Sequence, residues 1–148
     1  MSDFTQELVI GCDHAGYQLK EILIKEFEQR GYHFRDWGAF SDESVDYPDI
    51  IHPLAESVDN GAYKYGIIIC GSGNGVSMTA NKYKNVRAAL CWNEEISMLA
   101  RLHNDANLLA LPGRYISAEE AIKIVEAFLN TQFEGGRHAR RVNKIARS

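Results

Sequence analysis

The stretch from Tyr65 to Cys70 constrains this chain most. Ile67, Ile68 and Ile69 follow one another without a polar residue between them, and Gly71-Ser72-Gly73-Asn74-Gly75 comes immediately after. A run that is apolar on both faces belongs in the middle of a parallel sheet covered by helices on each side. The glycine-rich turn marks where the chain leaves such a sheet and enters the next helix.

The flanking segments repeat this alternation. Leu8, Val9 and Ile10 form a short apolar run closed by Gly11, after which Leu19, Ile22, Leu23 and Phe27 recur at helical spacing up to Gly31. Tyr32 to Asp36 reads as a second strand and Trp37 to Tyr47 as a loop. Pro48 then opens a helix with the inner stripe Ile51, Leu54, Ala55 and Val58, and with Pro53 close to its start. Val86 to Leu90 and Leu108 to Leu111 complete five strands, separated by a helix that begins near Asn93. Ser117 and Glu120 have capping-box spacing for the last long helix. This order predicts a three-layer α/β doubly wound fold with a five-stranded parallel sheet, Rossmann-like, and a C-terminal helical tail.

At 148 residues and 45% apolar content, one domain spanning 1–148 is large enough to bury its own core. Three cysteines without CxxC spacing and a start, MSDFTQELVI, without a basic flank or long apolar run suit a cytoplasmic protein. No apolar stretch approaches the roughly 20 residues needed to span a bilayer. The net charge of −4 gives no general pull towards nucleic acid or membrane, but charge is uneven. The segment 134–148 sets Arg137, Arg140, Arg141, Lys144 and Arg147 against Glu134 alone, a local +4.

Ligands of open parallel sheets settle outside the carboxyl ends of the strands. Two loops there carry reactive side chains, Gly11-Cys12-Asp13-His14 after the first strand and Cys70 to Gly75 after the third. Glycines let backbone N–H groups converge and the next helix adds its positive end, so the second loop should hold an anion. GxGxG is not the dinucleotide fingerprint, and no Lys-Ser/Thr pair follows as in a P-loop. An enediolate fits better, and Cys70 at the strand end is placed to take the carbon-bound proton that creates it, with the helix terminus favouring its thiolate. The ordinary alternative for Cys70 is a small buried hydrophobe, and for Asp13 a helix N-cap.

His103-Asn104-Asp105 precedes the last strand and is expected to reach the same carboxyl edge. Arg137 and Arg141, four apart, would form a two-pronged phosphate clamp on one helix face. His33 and His52 read as structural or solvent-facing, and no histidine pair has zinc-like spacing, so no metal is expected.

These motifs, together with Asp46-Tyr47-Pro48, Ala80-Asn81-Lys82, Arg101-Leu102-His103-Asn104-Asp105 and Glu134-Gly135-Gly136-Arg137-His138, resemble the ribose-5-phosphate isomerase B family over nearly the whole chain. That family also holds allose- and galactose-6-phosphate isomerases. The resemblance implies a cofactor-free aldose–ketose isomerase in which Cys70 moves a proton between C2 and C1. The amides of Gly71, Ser72, Gly73, Asn74 and Gly75, with Asn104, would steady the enediolate. His103 would assist ring opening, and Asp13 would bind sugar hydroxyls or help that step. His14, Arg114, Arg137 and Arg141 would surround the phosphate, with Tyr47 nearby. Ser72, where many members have threonine, keeps a hydroxyl and joins the catalytic set. Another branch uses a glutamate where this chain has Val76. The resemblance further implies homodimers, some pairing into tetramers, with the 134–148 tail reaching a neighbouring subunit. Two alternatives remain open: allose 6-phosphate as substrate, since one more carbon alters pocket length and not chemistry, and a non-catalytic phosphosugar sensor.

Overall fold

A computed structural model describes residues 7–147, so the first six residues of the MSDFTQELVI start read above lie outside them. Strands β1 (Leu8–Cys12), β2 (Phe34–Asp36), β3 (Gly66–Cys70), β4 (Ala88–Leu90) and β5 (Leu108–Pro112) form one sheet in the order β2-β1-β3-β5-β4, every pairing parallel. The helices are α1 (Tyr17–Gln29), α2 (Tyr47–Asp59), α3 (Asn74–Ala80), α4 (Glu94–Asn104), α5 (Ala118–Asn130) and α6 (Arg137–Val142). The doubly wound α/β fold is therefore present, with its C-terminal helix.

Alternation along the three central strands divides the core in two. Leu8, Ile10, Cys12, Ile67, Ile69, Leu109 and Leu111 face the layer of α1, α4 and α5, whose Leu23, Phe27, Ile124 and Phe128 complete that cluster. Val9, Ile68, Cys70, Leu108 and Ala110 face α2 and α3 and meet Ile51, Leu54 and Val76. Period-two alternation thus aims the Cys70 side chain towards the α2/α3 side.

Several local expectations hold and some shift. Asp13 caps a short 3-10 turn over His14–Gly16, its Oδ1 accepting from the Ala15 and Gly16 N–H groups at 2.9 and 3.3 Å. Ser117 and Glu120 form the reciprocal capping box of α5. β1 runs through Gly11 to Cys12, because Gly38 and Ala39 continue its pairing on one side. β2 and β4 are shorter than predicted, as expected of half-buried edge strands, so His33 precedes β2 instead of lying in it. α2 starts one residue before Pro48, which leaves Pro53 at the seventh helical position, inside the helix.

The chain passes from β1 to β2 on one side and then to β3 on the other. The loops leaving β1 and β3 consequently diverge at their carboxyl ends and leave a crevice.

Candidate active site

Asp13, Tyr47, Cys70, Gly71, Ser72, Gly75, Arg114 and Tyr115 line that crevice, a cavity of about 370 Å³. Larger depressions lie elsewhere. The one of about 720 Å³ is lined by Glu7, Val58, Gly61–Lys64 and Asn107 and has no convergent reactive groups.

Cys70 is only 5% exposed, yet it ends β3 at the cavity wall. The crossing loops are tied together there, since Gly113 N–H donates to Cys70 O at 2.8 Å and Arg114 N–H to Gly71 O at 3.0 Å. Burial pushes the thiols of Cys12 and Cys91 up to about 12, which keeps both protonated and inert at neutral pH.

The turn after Cys70 depends on glycine at two positions. Gly73 has φ +78° and is packed against Leu90 and Leu111, a conformation and a space that exclude a side chain. Gly75 lies under Tyr47: a Cβ there would stand 2.5 Å from Tyr47 Cζ. Ser72 Oγ accepts the Asn74 N–H at 3.2 Å and so shapes the turn. Gly73 and Asn74, both expected to hold the ligand, are not among the residues lining the cavity: Gly73 turns inward, and Asn74 is exposed on the first turn of α3. His14 is likewise set back. Its Nδ1 accepts the Val45 N–H at 3.2 Å, which assigns the ring proton of the neutral imidazole to Nε2.

His103 and Asn104 correct the sequence reading. They end α4, and the segment leading from a helix into its strand lies at the amino edge of the sheet, opposite the ligand edge. Asn107 O accepts the Gly66 N–H at 3.0 Å there, whereas Cys70 is at the far end of β3, about 13 Å away along the strand. Asn104 instead borders a depression of about 620 Å³ with Lys82, Arg87 and Arg147.

At this amino edge α6 packs on α4, as the tail expectation allows, and carries Arg137 and Arg141 one turn apart. Both are exposed, and among the described residues neither has a carboxylate partner. The fourteen expected residues therefore divide into a carboxyl-edge group around Cys70 and an amino-edge group of His103, Asn104, Arg137 and Arg141.

Three residues escaped the sequence reading. Tyr115 lines the cavity beside Arg114 and is 77% exposed. His138 stacks on His103, ring centroids 4.2 Å apart and 11° from parallel, and its pKa is pushed down by burial and by the nearby His103 and Arg137.

Arg101, buried within α4, donates to Thr131 O at 3.1 Å, Asp105 Oδ1 at 2.9 Å, Ala106 O at 2.7 Å and the Tyr65 hydroxyl at 3.2 Å. It fixes the end of α4 that presents His103 and Asn104. Arg101→Ala is expected to cost about 3 kcal/mol in urea denaturation, because four acceptors lose a charged donor in a buried place. Within 1 kcal/mol of the parent, this anchoring role would be wrong.

The family profile described as Ribose/Galactose Isomerase matches residues 8–145. The chain is 46% identical over 139 residues to the probable ribose-5-phosphate isomerase B of Mycoplasma pneumoniae, covering 93% of this chain and 91% of that protein. It is 41% identical over 140 residues to ribose-5-phosphate isomerase B of Escherichia coli, covering 95% and 94%. Among solved structures, ribose-5-phosphate isomerase B from Clostridium thermocellum superposes with a TM-score of 0.92 at 46% identity, covering 95% of each chain. The Mycoplasma genitalium enzyme with bound ribulose 5-phosphate gives 0.91 at 42% identity, covering 96% of this chain and 95% of that one.

Proposed function

Since the chain belongs to the Ribose/Galactose Isomerase family, we propose that it is an aldose–ketose isomerase interconverting ribose 5-phosphate and ribulose 5-phosphate, with Cys70 as the base. The observation that carries the base assignment is a thiol at the wall of a cavity it shares with Asp13, Ser72, the Gly71 and Gly75 backbone and Arg114.

In the open-chain aldose the Cys70 thiolate takes the proton from C2, and the electron pair moves to form a C1–C2 double bond with negative charge on O1. The hydroxyl proton of O2 passes to O1, and the thiol returns its proton to C1, giving the ketose. The charge that develops on oxygen needs donors already in place. The first-turn N–H groups of α3 beyond the one capped by Ser72 have no intrahelical acceptor, and they lie directly after the thiol.

No reading of a single chain brings His103, Asn104, Arg137 and Arg141 to Cys70, for they sit at opposite edges of one sheet. We read this separation as a site shared by two copies: the amino-edge group of one chain closes the carboxyl-edge cavity of the other. A two-fold pair would contain two such composite sites. The basic 134–148 segment then meets the substrate phosphate on the neighbouring chain, while Arg114 approaches it from the cavity wall and His14 stands behind that wall. Within this reading 1–148 acts as one isomerase domain, and no cofactor enters the chemistry.

No helix among the described residues is long and apolar enough to cross a membrane. We read the partner as a phosphorylated sugar met in the cytoplasm; the net charge of −4 gives no general pull towards nucleic acid.

The reading is tested by incubating the protein with ribose 5-phosphate, allose 6-phosphate and their ketoses in deuterated water. The expected result is interconversion of the five-carbon pair with solvent deuterium entering at the carbons next to the carbonyl, at a rate that EDTA does not lower. Turnover of the six-carbon pair alone would move the assignment to allose 6-phosphate, and binding without turnover would make the protein a sensor.

Gly75→Ala offers a subtler check, because the new methyl displaces Tyr47 from the cavity wall. KM for ribose 5-phosphate is expected to rise about tenfold, as for a positioning group moved by a fraction of an ångström. An unchanged KM would remove Tyr47 from the substrate site.

A further inference from the structure

Away from the Cys70 cavity, the fold brings His103 to a Glu134–His138 pair that stands four residues apart in the C-terminal segment. His103 ends α4, His138 lies in the first turn of α6, and Glu134 precedes the turn between α5 and α6; their donor atoms all lie within 4.8 Å of one another. We propose that His103, Glu134 and His138 bind a divalent transition cation of the zinc class.

The place is built by the backbone. Glu134 N–H donates to Leu102 O at 3.0 Å, which pins the incoming segment to the end of α4. Gly135 and Gly136 then turn with φ +76° and +60°, a backbone conformation that residues with a side chain rarely adopt, and His138 N–H closes the turn on Gly135 O at 3.1 Å. The turn sets the His138 ring on that of His103.

A second observation points to a ligand. The His138 side chain is only 9% exposed, and its buried Nε2 has no hydrogen-bond partner among the described residues. The nearest carboxylate oxygen, Glu134 Oε1, is 3.7 Å away, too far for a hydrogen bond but on the same side. A buried, unpaired ring nitrogen costs free energy unless something binds it.

The chemistry selects the class of ion. Two imidazoles and one carboxylate suit zinc and its first-row neighbours, at roughly 2.0–2.2 Å per bond. Calcium and magnesium want shells of oxygen, which one carboxylate does not supply. Glu134 is about half exposed and His103 partly exposed, so modest side-chain rotations bring the donors to bonding distance. Three protein ligands leave a fourth position for water. Binding would occupy a nitrogen of His103, so the cation would oppose turnover; only this consequence rests on the isomerase reading.

The full-length protein, freed of metal with chelator, would be titrated with Co²⁺ and followed by its visible d–d absorption, with Zn²⁺ as competitor. The expected result is one Co²⁺ per chain, displaced by Zn²⁺, with affinity at least tenfold weaker in Glu134→Gln and in His138→Gln. Because Glu134 is exposed, its variant keeps the fold and decides the matter if His138→Gln does not. No saturable binding, unchanged affinity in Glu134→Gln, or a strong thiolate-to-metal charge-transfer band would each overturn the site. A parallel assay should show Zn²⁺ slowing isomerisation and chelator restoring it. Metal bound in the spectrum without loss of turnover would keep the site and remove His103 from the chemistry.

Discussion

Cys70→Ser is expected to lower kcat by about 10²-fold or more while ribose 5-phosphate still binds, the loss typical of removing a general base. Serine keeps the shape of the strand end, so the cavity and its amide donors survive; the lost property is the ready formation of an anion at that atom. The split between kcat and KM matters here. Cys70 also packs against the α2/α3 core, so a merely structural role would alter stability and leave kcat near the parent value. Cys12→Ser and Cys91→Ser are the controls, since burial holds those thiols protonated.

The second large effect falls at the far edge of the sheet. Arg137→Ala with Arg141→Ala is expected to lower kcat/KM by about 10³-fold, as two charged hydrogen bonds to phosphate are worth about 1.5–3 kcal/mol each. Both side chains are exposed and without carboxylate partners among the described residues, so stability should hardly move. Removing residues 134–148 should abolish turnover for the same reason. A truncated protein with the parent kcat/KM would separate the basic tail from the substrate altogether.

What could be read from sequence was decided mostly by local physics. Three isoleucines in a row demand a covered strand, Ser117 and Glu120 carry their cap in their spacing, and Asp13 before a glycine-closed turn is an N-cap wherever it occurs. The Cys70 loop was legible because a strand end, a thiol and glycines are consecutive. Its finer geometry was not: which of Gly71 to Gly75 faces the ligand depends on Tyr47 and Leu90, each distant in sequence.

His103 was assigned to the wrong edge because chain order was read without direction. A segment joining helix to strand lies at the amino edge, and the parallel topology alone fixes this. Arg101 looked like one more member of a motif, since its anchoring role depends on Thr131, Ala106 and Tyr65 converging on it. The His103, Glu134 and His138 cluster was invisible to a test of histidine spacing for the same reason: His103 meets the Glu134–His138 pair only after α6 folds back on α4.

The central claim is that Cys70 of one chain works with the arginines of another. Subunit exchange between Cys70→Ser and the Arg137→Ala/Arg141→Ala double variant tests it directly. In a mixed pair one composite site collects every lesion and the other collects none. Random exchange of two nearly inactive parents should therefore recover about a quarter of the parent activity. If the mixture stays no more active than its two components assayed apart, the two edges do not meet across chains and the shared-site account is wrong.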